Sequence, residues 1–180
     1  MAAVMHASDS LEQAVVLYNV SWETYQRLLN EQQNSNSVRI GYDQGTLEIM
    51  ILSLRHEKLR HIFSTLVELL AGELEIDVEG AGSTTFRRED LARGFEPDAS
   101  FYFHHAELIR EKEEIDLSVD PSPELVIEID ITHSSLDKLA MFASLGVVEV
   151  WRYSGHKLTI YQLEGKDYVT KLESGLLPKV

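Results

Sequence analysis

The chain contains no cysteine, which excludes disulfide bridges, thiolate metal sites and a cysteine nucleophile. No apolar run approaches the roughly 20 residues that a membrane-spanning helix requires. Residues 1–10 contain no lysine or arginine and therefore do not resemble a secretory signal peptide. We expect a cytoplasmic protein without a membrane partner.

Basic residues are also scarce. Lysine and arginine together number 16 against 30 aspartate and glutamate residues, so the net charge is −14 at pH 7. Proteins that bind nucleic acids usually carry a basic surface, because phosphate contacts dominate their affinity. The acidity therefore argues against nucleic-acid binding, although bound metal cations reverse the local field at a site.

The 180 residues, of which 44% are hydrophobic, fit one globular domain. We predict a single domain over residues 1–180, with residues 1–14 as a flexible N-terminal end. The hydrophobic pattern predicts helices over residues 22–31, 56–75, 104–112 and about 135–145. It predicts strands over residues 15–20, 38–42, 46–52, 76–79, 83–87, 98–103, 124–131, 147–153, 158–163 and 167–172. This order favours an α/β (α+β) fold in which helices flank a mixed β-sheet.

The second predicted helix carries apolar residues at helical spacing, which indicates one wide stripe packed on the sheet. Its members are Leu59, Ile62, Phe63, Leu66, Val67, Leu70 and Leu74.

Two carboxylates interrupt the apolar strand predicted over residues 124–131. Glu128 and Asp130 are two residues apart, so their side chains share one face, where like charges repel. A divalent cation would relieve both the repulsion and the cost of burial, and Mg²⁺ prefers oxygen ligands. Asp98, at the start of another strand, would complete the cage, and Lys138 could orient a water. Spacing alone leaves a second interpretation open, in which these side chains are solvent-exposed.

A series of short motifs occurs in a specific order. They are EPDASFY at residues 96–102, LVIEI at 125–129, DKL at 137–139, LGV at 145–147 and EVWRY at 149–153, preceded by SWE at 21–23, LEIM at 47–50 and HE at 56–57. Together they resemble the Uma family of restriction endonucleases, which belongs to the PD-(D/E)XK nuclease superfamily. The resemblance covers residues from about 20 to 163 and implies a restriction-endonuclease-like fold.

The resemblance also implies roles for individual residues. Asp98 matches the aspartate of the PD half-motif, and Glu128 matches the acidic residue of the second half-motif. The lysine of that half-motif falls at position 130, where this chain has Asp130. A lysine from the next helix is thought to replace it in the family, and Lys138 matches that position. Asp130 is then either a further metal ligand or a sign of altered activity.

The start of the long predicted helix offers one more candidate. Glu57 resembles the acidic residue that some superfamily members contribute from their first core helix, and we include it among the expected catalytic residues. His56 directly precedes it. Residues at helix starts are usually exposed, so the alternative that both are solvated remains open.

The resemblance implies an endonuclease that uses Mg²⁺, or Mn²⁺, to hydrolyse phosphodiester bonds, most often in DNA. Two alternatives remain. The acidity and Asp130 suit an inactive binding or assembly module of the same fold. A metal-dependent hydrolase of a small phosphorylated substrate would need no basic groove. Because cleavage of both DNA strands needs two sites, we also expect a homodimer.

Overall fold

A computed structural model describes residues 13–32, 38–131 and 136–179, together with the backbone of residues 3–7. The strands in these ranges are β1 (Ala3–Ala7), β2 (Gln13–Leu17), β3 (Val38–Asp43), β4 (Thr46–Ile51), β5 (Glu79–Gly80), β6 (Phe86–Arg88), β7 (Arg93–Phe95), β8 (Ala99–Tyr102), β9 (Leu125–Asp130), β10 (Glu149–Ser154), β11 (Lys157–Glu164) and β12 (Asp167–Lys171). The α-helices are α1 (Trp22–Glu31), α2 (Leu54–Glu73), α3 (Ala106–Arg110) and α4 (Lys138–Leu145), and a 3-10 turn spans Glu89–Leu91.

The first sheet has the strand order β1-β2-β4-β3-β7-β6, and every pair is antiparallel. Helix α1 packs on it after Ser21, whose side chain accepts a hydrogen bond from the backbone N–H of Thr24 at 3.2 Å. The ring of Tyr25 stacks on Tyr42 with 4.9 Å between centroids. A Cβ at Gly94 would lie 2.1 Å from the Tyr25 hydroxyl, so this close approach of helix and sheet requires glycine.

The second sheet has the order β12-β11-β10-β9-β8-β5, with β9 and β10 parallel and the other pairs antiparallel. Its central strand β9 is covered on both faces, as its nearly continuous apolar sequence indicates. Leu125 and Ile127 join one hydrophobic cluster, which contains Phe63 and Val67 of α2. Val126 joins another cluster, which contains residues of α4. Helices α2 and α4 therefore pack on opposite faces of β9, the strand that carries Glu128.

The predicted mixed fold and most predicted elements are confirmed, and α1 has the predicted bounds. Two strands, β1 and β7, were not predicted. Residues 3–7 form a strand paired with β2, although residues 1–14 were expected to be flexible. The remaining residues of that segment before β2 lie outside the described ranges. Edge pairing depends largely on backbone hydrogen bonds, so it leaves little trace in a sequence.

Two further differences concern helices. Ile62 and Leu66 of α2 are exposed, although they were expected to pack on the sheet. The helical period defined the stripe but not the centre of its buried arc, which lies nearer Phe63 and Val67. Helix α4 begins at Lys138 after Asp137, whose side chain caps it, rather than at about residue 135. Within the described ranges, no helix combines the length and apolar character that crossing a bilayer requires.

Candidate active site

A cavity of about 130 Å³ lies where the carboxyl ends of β9 and β10 meet strands β3 and β4 of the first sheet. Parallel neighbouring strands end at the same edge of a sheet, so β9 and β10 bring Glu128 and Arg152 side by side. The start of α2 and the start of α4 close the cavity. Its ionisable lining residues are Arg39, Glu48, His56, Glu96, Asp98, Glu128, Asp130, Asp137, Lys138 and Arg152.

Asp98 is buried and held through both carboxylate oxygens. Nε2 of His56 lies 2.7 Å from Oδ1, and the backbone N–H of Ile129 donates to Oδ2 at 2.6 Å. The antiparallel register of β8 and β9 pairs Ala99 with Ile127, which places Asp98 beside Glu128. Burial opposes ionisation, but the hydrogen bond from His56 and the nearby charges lower the pKa of Asp98 below its ordinary value. Asp98 is therefore a carboxylate at neutral pH.

Glu128 is buried and forms an ion pair between its Oε2 and the Nζ of Lys138. Burial raises the pKa of Glu128 to about 7, because it outweighs the attraction of Lys138, and the charge of Asp98 adds to the rise. Burial alone would lower the pKa of Lys138, but Glu128 and Asp98 raise it above its usual range. Lys138 therefore stays a cation that two carboxylates hold in place.

Lys138 occupies a position in its helix where positive side chains are normally disfavoured. It is the first residue of α4, where the helix dipole disfavours positive charge. Its ammonium group turns instead toward Glu128 on β9. Departures from local preference of this kind concentrate at functional sites, where another interaction compensates for them.

A third carboxylate, Glu48 on β4, is buried and lines the same cavity. Its charge contributes to the raised pKa of Lys138. Glu48 was named only as part of the LEIM motif and was assigned no role in the site. Like Glu128, however, it lies in a strand between apolar residues, Leu47 and Ile49.

Asp130 lines the cavity, but its carboxylate is bound by the guanidinium group of Arg152. Nε of Arg152 donates to Oδ2 of Asp130 at 3.0 Å. The second guanidinium contact is to the same oxygen, and the Arg152 side chain is 40% exposed. Both contacts are to Oδ2, so Asp130 would have to bind through Oδ1 to serve as the further metal ligand that was expected from the sequence.

Glu57 is placed apart from this group. Nε of Arg60 donates to its Oε2 at 2.9 Å, and the guanidinium group of Arg39 lies 4.0 Å from its Oε1. The described residues that line the cavity do not include Glu57. The side chain of its neighbour His56 is buried instead, and Ser53 caps α2 by accepting a hydrogen bond from the His56 backbone N–H at 3.1 Å. The geometry thus gives Glu57 a partly buried ion pair with Arg60 and gives His56 the contact with Asp98.

The carboxylates of Asp98 and Glu128 suit a hard divalent cation. Oε1 of Glu128 accepts no hydrogen bond from any residue in the described ranges, and each oxygen of Asp98 keeps a second lone pair. Mg²⁺ needs only one or two carboxylates when waters and substrate phosphate complete its shell. Within the same ranges no three acidic or histidine side chains form a ready-made cage. The arrangement therefore fits a cation that is bound with water and substrate rather than by protein alone.

A family model described as "Uma2: Putative restriction endonuclease" matches residues 22–175. The chain belongs to the Uma2 family. This confirms the resemblance that the ordered motifs predicted, and it agrees with the restriction-endonuclease-like arrangement of sheet and helices. No curated protein matches the chain at a significant level.

Proposed function

We propose that this Uma2 protein is a metal-dependent endonuclease that hydrolyses phosphodiester bonds in DNA, with residues 1–180 acting as one domain. The observation that carries the proposal is the convergence of the buried carboxylates of Asp98 and Glu128 on one cavity, with Lys138 bound between two elements beside them. Burying two neighbouring carboxylates at a cavity is costly, and the cost is easier to explain by chemistry than by stability.

We propose that Asp98 and Glu128 hold Mg²⁺ or Mn²⁺. When bound, such a cation supplies Lewis acidity and a water of lowered pKa. His56 and the N–H of Ile129 fix the orientation of Asp98, so its remaining lone pairs point in a set direction. Lys138 would bind a phosphate oxygen or the attacking water, because its ammonium group offers further donors beyond the one given to Glu128.

The acidic composition also favours a role for a cation. Several arginines outside the cavity already neutralise carboxylates: Arg60 pairs with Glu57, Arg88 with Asp90 and Arg93 with Asp43. Attraction of a phosphodiester would therefore depend on the bound metal more than on a basic groove.

Cleavage of plasmid DNA and of labelled oligonucleotides tests the proposal. The wild-type protein should cut with Mg²⁺ or Mn²⁺ and stop when the metal is chelated. Asp98→Asn should lower the rate by about 10³-fold, since loss of the metal costs several kcal/mol of transition-state stabilisation. Asp167→Asn, on the exposed strand β12, provides a matched control that should cut like the wild type. Equal rates for Asp98→Asn and the wild type would contradict the assignment.

Two outcomes would favour the alternatives. A protein that binds metal but hydrolyses only small phosphoesters, with oligonucleotides failing to compete, would be a hydrolase of small substrates. A protein that neither binds metal nor cleaves any phosphoester would be an inactive module of the same fold.

We also propose that the protein acts as a homodimer, since a double-strand break requires two sites.

A further inference from the structure

Helix α2 presents an apolar stripe away from the sheet that it covers. Ile62 is 57% exposed, Leu66 is 37% exposed and Leu69 is 67% exposed. Their spacing of four and three residues puts them on one side of the helix. Scattered exposed leucines are ordinary, but three on one helix face form a continuous patch.

Opposite charges border the two ends of this patch. Lys58 lies one turn before Ile62, and Glu73 lies one turn after Leu69, so both continue the same stripe. Both side chains are exposed. Neither has an ion-pair partner among the residues that the structure describes.

We propose that this face of α2 binds a second copy of the chain, with the two α2 helices antiparallel about a two-fold axis near Leu66. In this register Ile62 meets Leu69 of the partner subunit, and Lys58 meets Glu73 of the partner subunit. A two-fold interface is self-complementary, so each contact occurs twice. The order of positive end, apolar centre and negative end is the pattern that such an antiparallel pair requires.

Other arrangements fit the charges less well. Parallel helices would place Lys58 against its own copy and Glu73 against its own copy, which is repulsive. An anionic membrane surface would repel a protein whose net charge is −14. His56, which contacts Asp98 in the cavity, lies on the buried side of α2. The interface therefore leaves the cavity open, and the proposal does not depend on nuclease activity.

Sedimentation equilibrium over a wide concentration series tests this interface. The wild-type mass should rise toward twice the monomer mass, while Leu69→Glu should remain monomeric at every concentration. Leu172→Glu is the matched control, because Leu172 is 99% exposed and lies outside the stripe. It should dimerise like the wild type. Circular dichroism should show unchanged folding of both variants, since neither side chain is in the core.

A charge reversal tests the register. Lys58→Glu should weaken dimerisation on the order of tenfold, because two exposed ion pairs become two repulsive pairs. Combining it with Glu73→Lys should restore the wild-type constant. The proposal is overturned by a wild-type protein that stays monomeric, by a Leu69→Glu variant that still dimerises, or by a double variant no better than Lys58→Glu alone.

Discussion

Carboxylates are buried at both ends of the parallel pair β9–β10, but their hydrogen-bond and ion-pair partners differ. At the amino end, Glu149 receives hydrogen bonds from Trp151 Nε1 at 2.7 Å, Ser174 Oγ at 2.6 Å and the Gly175 N–H at 2.8 Å. All three donors are uncharged. At the carboxyl end, Asp98 and Glu128 face a cavity and depend on His56 and Lys138.

The difference separates a carboxylate that supports the fold from carboxylates kept for chemistry. Glu149 binds the C-terminal segment around Ser174 to the sheet, and both of its carboxylate oxygens accept hydrogen bonds from the fold itself. Asp98 and Glu128 keep lone pairs that face the cavity. Burial of the Glu128 side chain raises its pKa to about 7. Neutral, complete hydrogen bonding stabilises a fold, whereas crowded charges at a cavity are retained at a cost in stability.

The largest effect on stability should come from the amino end. Glu149→Gln would turn one acceptor oxygen into an NH₂ group that faces a buried donor. We expect the free energy of unfolding to fall by about 2–3 kcal/mol, the cost of leaving buried donors unpaired. Asp98→Asn should change it by less than about 1 kcal/mol, because an amide can still accept from the Ile129 N–H and hydrogen-bond with the His56 ring. Urea denaturation measures the free energy of unfolding of both variants. An equal loss in the two would contradict the distinction between a structural Glu149 and a functional Asp98.

A smaller effect should come from His56, which contacts Asp98 but no reacting group. His56→Ala should lower cleavage by about 10- to 100-fold, as is typical when a partner that orients a metal ligand is lost. His56→Gln should recover most of that loss, since its amide nitrogen can donate to Asp98 from a similar position. Metal titration of both variants should show weaker binding for alanine than for glutamine. Equal defects in the two variants would point to a packing role for His56 instead.

The parts of this molecule that follow from local sequence were predictable. The N-cap at Ser21, the hairpin of β3 and β4, and the apolar strand β9 rest on local pattern. Asp98 and Glu128 were singled out by a buried-strand argument together with the ordered motifs of the family.

The remainder depends on contacts between distant parts of the chain. His56 and Asp98 are 42 residues apart, so no local pattern shows that their side chains meet. Likewise, the arginine that binds Asp130 comes from the neighbouring strand β10. The exposure of Ile62 depends on which side of α2 faces the sheet, and periodicity alone does not define it.

Calorimetric titration with Mg²⁺ and Mn²⁺ tests the central claim most directly. The wild-type protein and the Asp167→Asn control should bind the metal with the same affinity. Asp98→Asn should bind it at least about tenfold more weakly, with its stability nearly unchanged. No binding by the wild type, or equal binding by Asp98→Asn, would contradict the claim that the carboxyl end of β9–β10 holds a metal centre.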